Sequence, residues 1–141
     1  MSVVSPKFRN ELSELPLLFE ISQILDRSVD LRDELGPVLK AIARHTGMLR
    51  GTITLVDRES GDLYIEAAHG LSGDELTRGR YKKGEGVVGK VVETGRPMTI
   101  PLVAEEPLFL NRTQARDMNK EDMSYLCVPI KMETSVIGAL S

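Results

Sequence analysis

A single cysteine in 141 residues excludes two kinds of architecture at once. Cys127 has no second thiol to pair with in the chain, so there is no internal disulfide and no cysteine-based metal cluster. Long apolar runs are also missing. No stretch approaches the length of a membrane span, and the polar segment Met1 to Asn10 lacks the apolar core of a secretory leader. Charge of one sign is not in excess either: 18 Lys and Arg against 21 Asp and Glu leave a net −3. That balance is too mild to imply a nucleic-acid or membrane partner, and no basic stripe carries interleaved aromatics. Internal repeats and low-complexity linkers are absent. What remains reads as one domain in a reducing cytoplasm. Its 41% hydrophobic and 28% charged residues are ordinary for a soluble chain, and its length suffices to bury a core.

Two helices are expected to open the domain. The first runs roughly from Leu15 to Ser28 behind a flexible segment, residues 1–14, with Pro16 in its first turn where proline is tolerated. Leu18, Ile21 and Leu25 form a narrow stripe, and Leu15 and Phe19 extend a second apolar face. Such a helix packs against two partners, the sheet and another subunit, or presents one wide stripe to a core. The spacing admits both, and the first makes the chain a homodimer through its N-terminal helices. The second helix offers Asp30 or Asp33 as cap and Leu35, Val38, Leu39 and Ile42 as core face, and ends at Gly47. Arg44 and His45 fall in its last turn, where cations suit the carbonyl end.

A hairpin follows, Thr52–Val56 and Leu63–Ala67 around the turn-forming residues 57–62. A short helix near Asp74 to Arg78 precedes a glycine turn, and Met98 to Ile100 makes a brief strand. Pro101 to Asn111 reads as a loop and Arg112 to Met118 as another short helix. Tyr125–Met132 and Ser135–Ser141 close the chain as a second hairpin. Helices first and hairpins at both ends indicate an α+β fold on an antiparallel sheet.

Gly84-Glu85-Gly86-Val87-Val88-Gly89 reads G-x-G-x-x-G, the pattern of a dinucleotide-binding loop. Its flank excludes that reading. The first glycine of such a loop follows a buried parallel strand, whereas Arg78 to Lys83 is charged and interrupted. Val87, Val88, Val91 and Val92 form one helical stripe, stopped by Gly95 and Pro97. The motif is a short helix entered through a glycine turn.

The run YKKGEGVVGKVVETGRP, Tyr81 to Pro97, resembles the signature of GAF domains, small regulatory modules. The resemblance continues at Cys127-Val128-Pro129-Ile130 and Val136 to Ser141 and covers nearly the whole chain, 1–141. It implies N-terminal helices on one face of the sheet, with short helices and loops enclosing a pocket on the other. Glu105 to Thr113 is similar to a loop of the N-terminal GAF domain in NifA-type, sigma-54-dependent activators of nitrogen-fixation genes. That likeness implies a longer protein cut at Ser141, followed by an ATPase module and a helix-turn-helix. It also implies an effector, either a 2-oxoglutarate-like metabolite or a PII-type signalling protein.

No catalytic constellation emerges, so no enzyme, cofactor or metal is expected. Cys127 sits in an apolar strand and reads as a buried, inert thiol. Sulfoxide-reducing GAF enzymes resemble a multi-cysteine design, and bilin-binding GAF domains need a suitably placed loop or helix cysteine that this chain lacks. His45 and His69 stand apart without further ligands, the first suited to a helix end and the second to packing or capping at a strand end. Asn119-Lys120-Glu121-Asp122 only partly echoes the cyclic-nucleotide GAF signature, and Glu105-Glu106 reads as solvated surface. Arg78, Arg80, Lys82, Lys83 and Arg112 make a basic cluster. It is either a solvated edge or, with the amides of Gly84 to Val88 at a helix N-terminus, an anion site. Phe109 and Leu110 would form its lid. The ligand-binding candidates are thus Thr54, Tyr64, Tyr81, Lys83, Gly84, Gly86, Val88, Phe109 and Arg112.

Overall fold

The computed structural model describes residues 6–101 and 124–141, with residues 6–13, 76 and 77 described by backbone alone. The expected loop beyond Pro101 and the helix from Arg112 to Met118 therefore lie outside the described residues. The chain divides into two units, Met1–Leu49 and Arg50–Ser141.

The first unit is a pair of helices, α1 (Pro6–Asp26) and α2 (Leu31–Thr46). Helix α1 starts nine residues earlier than its apolar spacing indicates, so Pro16 lies inside it rather than in its first turn. Proline removes one ladder hydrogen bond, and α1 carries that loss without ending. Helix α2 likewise runs through Gly36 and Pro37. Its cap is Asp30, not Asp33: the Asp30 carboxylate accepts from the Arg32 amide at 3.0 Å. Gly47 ends α2 in the left-handed conformation, φ 76°, its N–H donating to the Ala43 carbonyl. One carboxylate joins the pair. Glu20 of α1 accepts from both Arg44 Nη atoms and lies 2.7 Å from His45 Nε2. The Arg44 hydrogen bonds first, then His45, hold the Glu20 carboxyl below the usual carboxylate range.

The second unit is β1 (Gly51–Val56), β2 (Leu63–His69), α3 (Gly73–Arg78), β3 (Arg80–Tyr81), α4 (Gly86–Thr94), β4 (Met98–Ile100), β5 (Tyr125–Met132) and β6 (Ser135–Leu140). The strands form one six-stranded sheet in the order β3-β2-β1-β6-β5-β4, every neighbouring pair antiparallel. This is the expected α+β architecture. Asp57 shapes the first hairpin loop: its carboxylate accepts from the amides of Glu59 and Ser60, and Gly61 adopts φ 77°. Ser72 and Glu75 start α3 as a reciprocal capping box, each side chain taking the other's backbone N–H. The central pair β1–β6 lies so close that a Cβ on Gly138 would overlap the Thr54 carbonyl. Beyond β6, Ser141 extends the ladder by exchanging two backbone hydrogen bonds with Thr52.

Helix α4 packs on this sheet through the four valines of its stripe. With Leu63, Ile100, Tyr125, Cys127 and Ala139 they form the core of the unit. Each large apolar side chain, fully buried, contributes about 1.5–3 kcal/mol. No helix among the described residues is long and apolar enough to cross a membrane.

Candidate functional site

Pairing partners in a sheet share a face, and alternate residues change face. Ala139 lies in the core beneath α4, so its partner Thr54 faces α4 as well. Leu63 lies in the same core and places its partner Tyr81 there. Tyr64 is next to Leu63 and pairs with Leu55 and Arg80, so all three face the opposite side. The register thus brings Thr54 and Tyr81 to one face and puts Tyr64 on the other. It also removes Arg80 from the basic cluster expected at a single site.

On the α4 side the apolar surface is interrupted by hydroxyls. Thr52 lies two residues before Thr54, and Ser141 two after Ala139. Their Oγ atoms meet at 2.6 Å and are buried. Thr54 itself is 1% exposed. Two hydroxyls supply two O–H donors, and only one is used between them. Among the described residues, the pair therefore has one donor and several lone pairs left to offer. Thr52 and Ser141 are not among the residues that sequence reasoning selects. The signal that could find them is polar residues at alternate positions in otherwise apolar strands.

The glycine turn has its own geometry. Gly84 and Gly86 adopt φ 84° and 66°, conformations that side chains with a Cβ resist. Gly89 must be glycine for a different reason: a Cβ there would meet the Lys82 carbonyl at 2.7 Å and Gly84 backbone atoms at 2.9 Å. The turn thus folds back along the flank of α4. Of the five amides expected to face a ligand, two are engaged inside the turn. The Gly84 N–H donates to the Gly89 carbonyl and the Glu85 N–H to the Lys82 carbonyl. The Glu93 carboxylate of α4 also lies against Gly84. The amides of Gly86, Val87 and Val88 begin α4, where the cap residue Glu85 provides no side-chain cap bond. Val88 is a core residue, while Lys82 and Lys83 are exposed. Phe109 and Arg112 lie outside the described residues.

Cys127 is not poised as a nucleophile. Burial pushes the Cys127 thiol up to about 12, against the opposing pull of its hydrogen bond with Tyr125. Among the described residues no cluster of three His, Cys, Asp or Glu side chains is placed to hold a metal ion.

A six-stranded antiparallel sheet with a glycine turn and short helix packed on one face is what the GAF fold requires, and the GAF domain profile matches residues 30–141. The chain belongs to the GAF domain family. This GAF domain is 43% identical over 129 residues to nitrogen fixation protein VnfA of Azotobacter vinelandii, covering 90% of this chain and 25% of that protein. It is 42% identical over 129 residues to the Nif-specific regulatory protein of Azospirillum brasilense, covering 91% and 20%. The chain thus spans about a quarter of the length of the curated relatives it matches. Among solved structures it resembles the GAF domain of A. aeolicus nlh2 in an inactive state. The TM-score is 0.77 and the identity 28%, over 92% of this chain and 78% of that one. It shares the fold, at 21% identity and TM-score 0.74, with free methionine-R-sulfoxide reductase from Neisseria meningitidis in complex with its substrate, over 99% and 75% of the two chains.

Proposed function

We propose that this GAF domain is a non-catalytic sensor in a cytoplasmic activator of nitrogen-fixation genes. It binds a small effector between α4 and the sheet and passes the bound state to an adjacent ATPase module. The observation that carries this reading is the buried hydroxyl strip, Thr52, Thr54 and Ser141, on the same face of the sheet as α4. A hydroxyl pair with an unused donor can hold a hydrogen-bond acceptor. Lys83, and Arg112 beyond the described residues, supply positive charge for an effector of the 2-oxoglutarate class. The names of the relatives support the regulatory half of the reading. An effector controls a neighbour only through unequal affinity for two packings, typically by about 1–3 kcal/mol. A PII-type protein acting on the domain surface would use the same coupling.

A second reading makes the domain architectural, with no ligand. It draws support from the Gly84 and Glu85 amides, already engaged within the turn, and from Glu93 against Gly84. Calorimetric titration of the chain with 2-oxoglutarate and related carboxylates separates the two. The sensor gives saturable heat that Thr54→Val weakens about tenfold, the worth of one hydrogen bond to a charged group. Lys83→Ala with Arg112→Ala abolishes that heat. Absence of heat with every carboxylate, while the fold stays intact, favours the architectural reading.

A further inference from the structure

Ser141 is held to β1 by three bonds, and one of them lies within the hydroxyl strip. The Thr52 N–H donates to the Ser141 carbonyl at 2.8 Å, and the Ser141 N–H donates to the Thr52 carbonyl at 3.0 Å. The third bond joins the two hydroxyls at 2.6 Å. Both residues are 8% exposed, so water competes little for any of the three. Register explains the meeting. The β1–β6 ladder pairs Thr54 with Ala139 and Ile53 with Leu140, and one step further along each strand sets Thr52 beside Ser141. Thr52 is the fixed member of the pair, because β1 also pairs with β2 there, at Ala68. Ser141 is the movable one. It lies just beyond Leu140, the last residue of β6, and the ends of a ladder open first.

We propose that effector binding locks Ser141 onto β1 through the Thr52–Ser141 hydroxyl bond. The lock presupposes the sensor reading above and names how that site changes state. Its sign follows from a donor count. The pair holds two O–H groups, and its internal bond uses one. An effector oxygen that accepts the other O–H leaves the internal bond in place. It also strengthens that bond, because a hydroxyl that donates becomes a better acceptor. Effector, hydroxyl bond and ladder end therefore tighten together. With the site empty, the internal bond stands alone and Ser141 opens more readily. A ligand that took both donors would break the pair and give the opposite sign.

Amide hydrogen exchange on the isotopically labelled 141-residue chain tests this in two arms. The first arm needs no effector. Thr52→Val and Ser141→Ala each remove the hydroxyl bond and keep the two backbone bonds. Each should speed exchange of the residue-141 amide about fivefold, the worth of one neutral hydrogen bond, and the double variant should speed it no further. Unchanged exchange at Val136, near the other end of β6, serves as the check that the sheet is intact. Two effects that add in the double variant, or no effect in either single one, overturn the lock. The second arm titrates the chain with 2-oxoglutarate. Saturation should slow exchange at residue 141 roughly threefold. Ser141→Ala should keep its affinity to within about tenfold and show no slowing. Binding without slowing, or with faster exchange, overturns the lock and leaves the sensor reading standing. Absence of binding overturns the sensor reading and the lock with it.

Discussion

At the scale of single residues, the glycines and Cys127 carry the sharpest expectations. Gly138→Ala forces a Cβ into the Thr54 carbonyl, so the β1–β6 pair must separate. The expected cost is roughly 3 kcal/mol, the upper part of the overpacking range, and urea unfolding measures it. Gly36 is the control. It lies inside α2, where an added methyl group would have nothing within 4 Å. Gly36→Ala should therefore stabilise by about 0.5–1 kcal/mol in the same assay. Cys127, with its thiol raised from 9.0 to about 12, should resist a disulfide reagent at pH 8 until the chain unfolds. The sign for stability follows. A group whose folded pKa is raised contributes fully below the unfolded value and loses that contribution as pH rises toward the folded one. Alkaline weakening attributable to Cys127 therefore begins above about pH 9, and Cys127→Ala should remove it.

At the scale of elements, the α1–α2 link makes the opposite pH prediction. Glu20 is held below its usual range by Arg44 and then His45. Its contribution is present above the unfolded carboxylate value of 4.5 and is lost as pH falls through the lower folded value. Hydrogen exchange of the α1 amides, corrected for intrinsic rates, should lose protection below pH 4.5. Glu20→Gln should lose it at all pH values and flatten the profile. The ends of α2 and α4 are legible in the sequence because Gly47 and Gly95 each mark a left-handed cap, φ 76° and 67°. Both hairpins are legible because β-rich runs flank turn-forming residues. The start of α1 is not, because Pro16 reads locally as a first-turn residue and the residues before it lack a clear stripe. The strand faces are not legible either. Tyr64 and Thr54 look alike in sequence, and only the core positions of Leu63, the neighbour of Tyr64, and of Ala139, the partner of Thr54, separate them. The Glu20 contact, 24 and 25 residues from its partners, leaves no local pattern at all.

At the scale of the molecule, the glycine motif and the sheet acquire one joint role. The GEGVVG segment is a turn folded onto its own helix, and that helix presses four valines onto a face carrying the hydroxyl strip. The reading as a sensor depends on that face being where an effector meets the protein. Amide chemical-shift mapping of the isotopically labelled chain during titration with 2-oxoglutarate tests this most directly. Effector binding on this face produces saturable shifts at Thr52, Thr54, Ser141 and Gly86 to Val88, small changes at Tyr64 and Arg80, and unaltered ligand at the end of the titration. Shifts centred on Tyr64 and Arg80, or chemical conversion of the ligand by the protein, would contradict it.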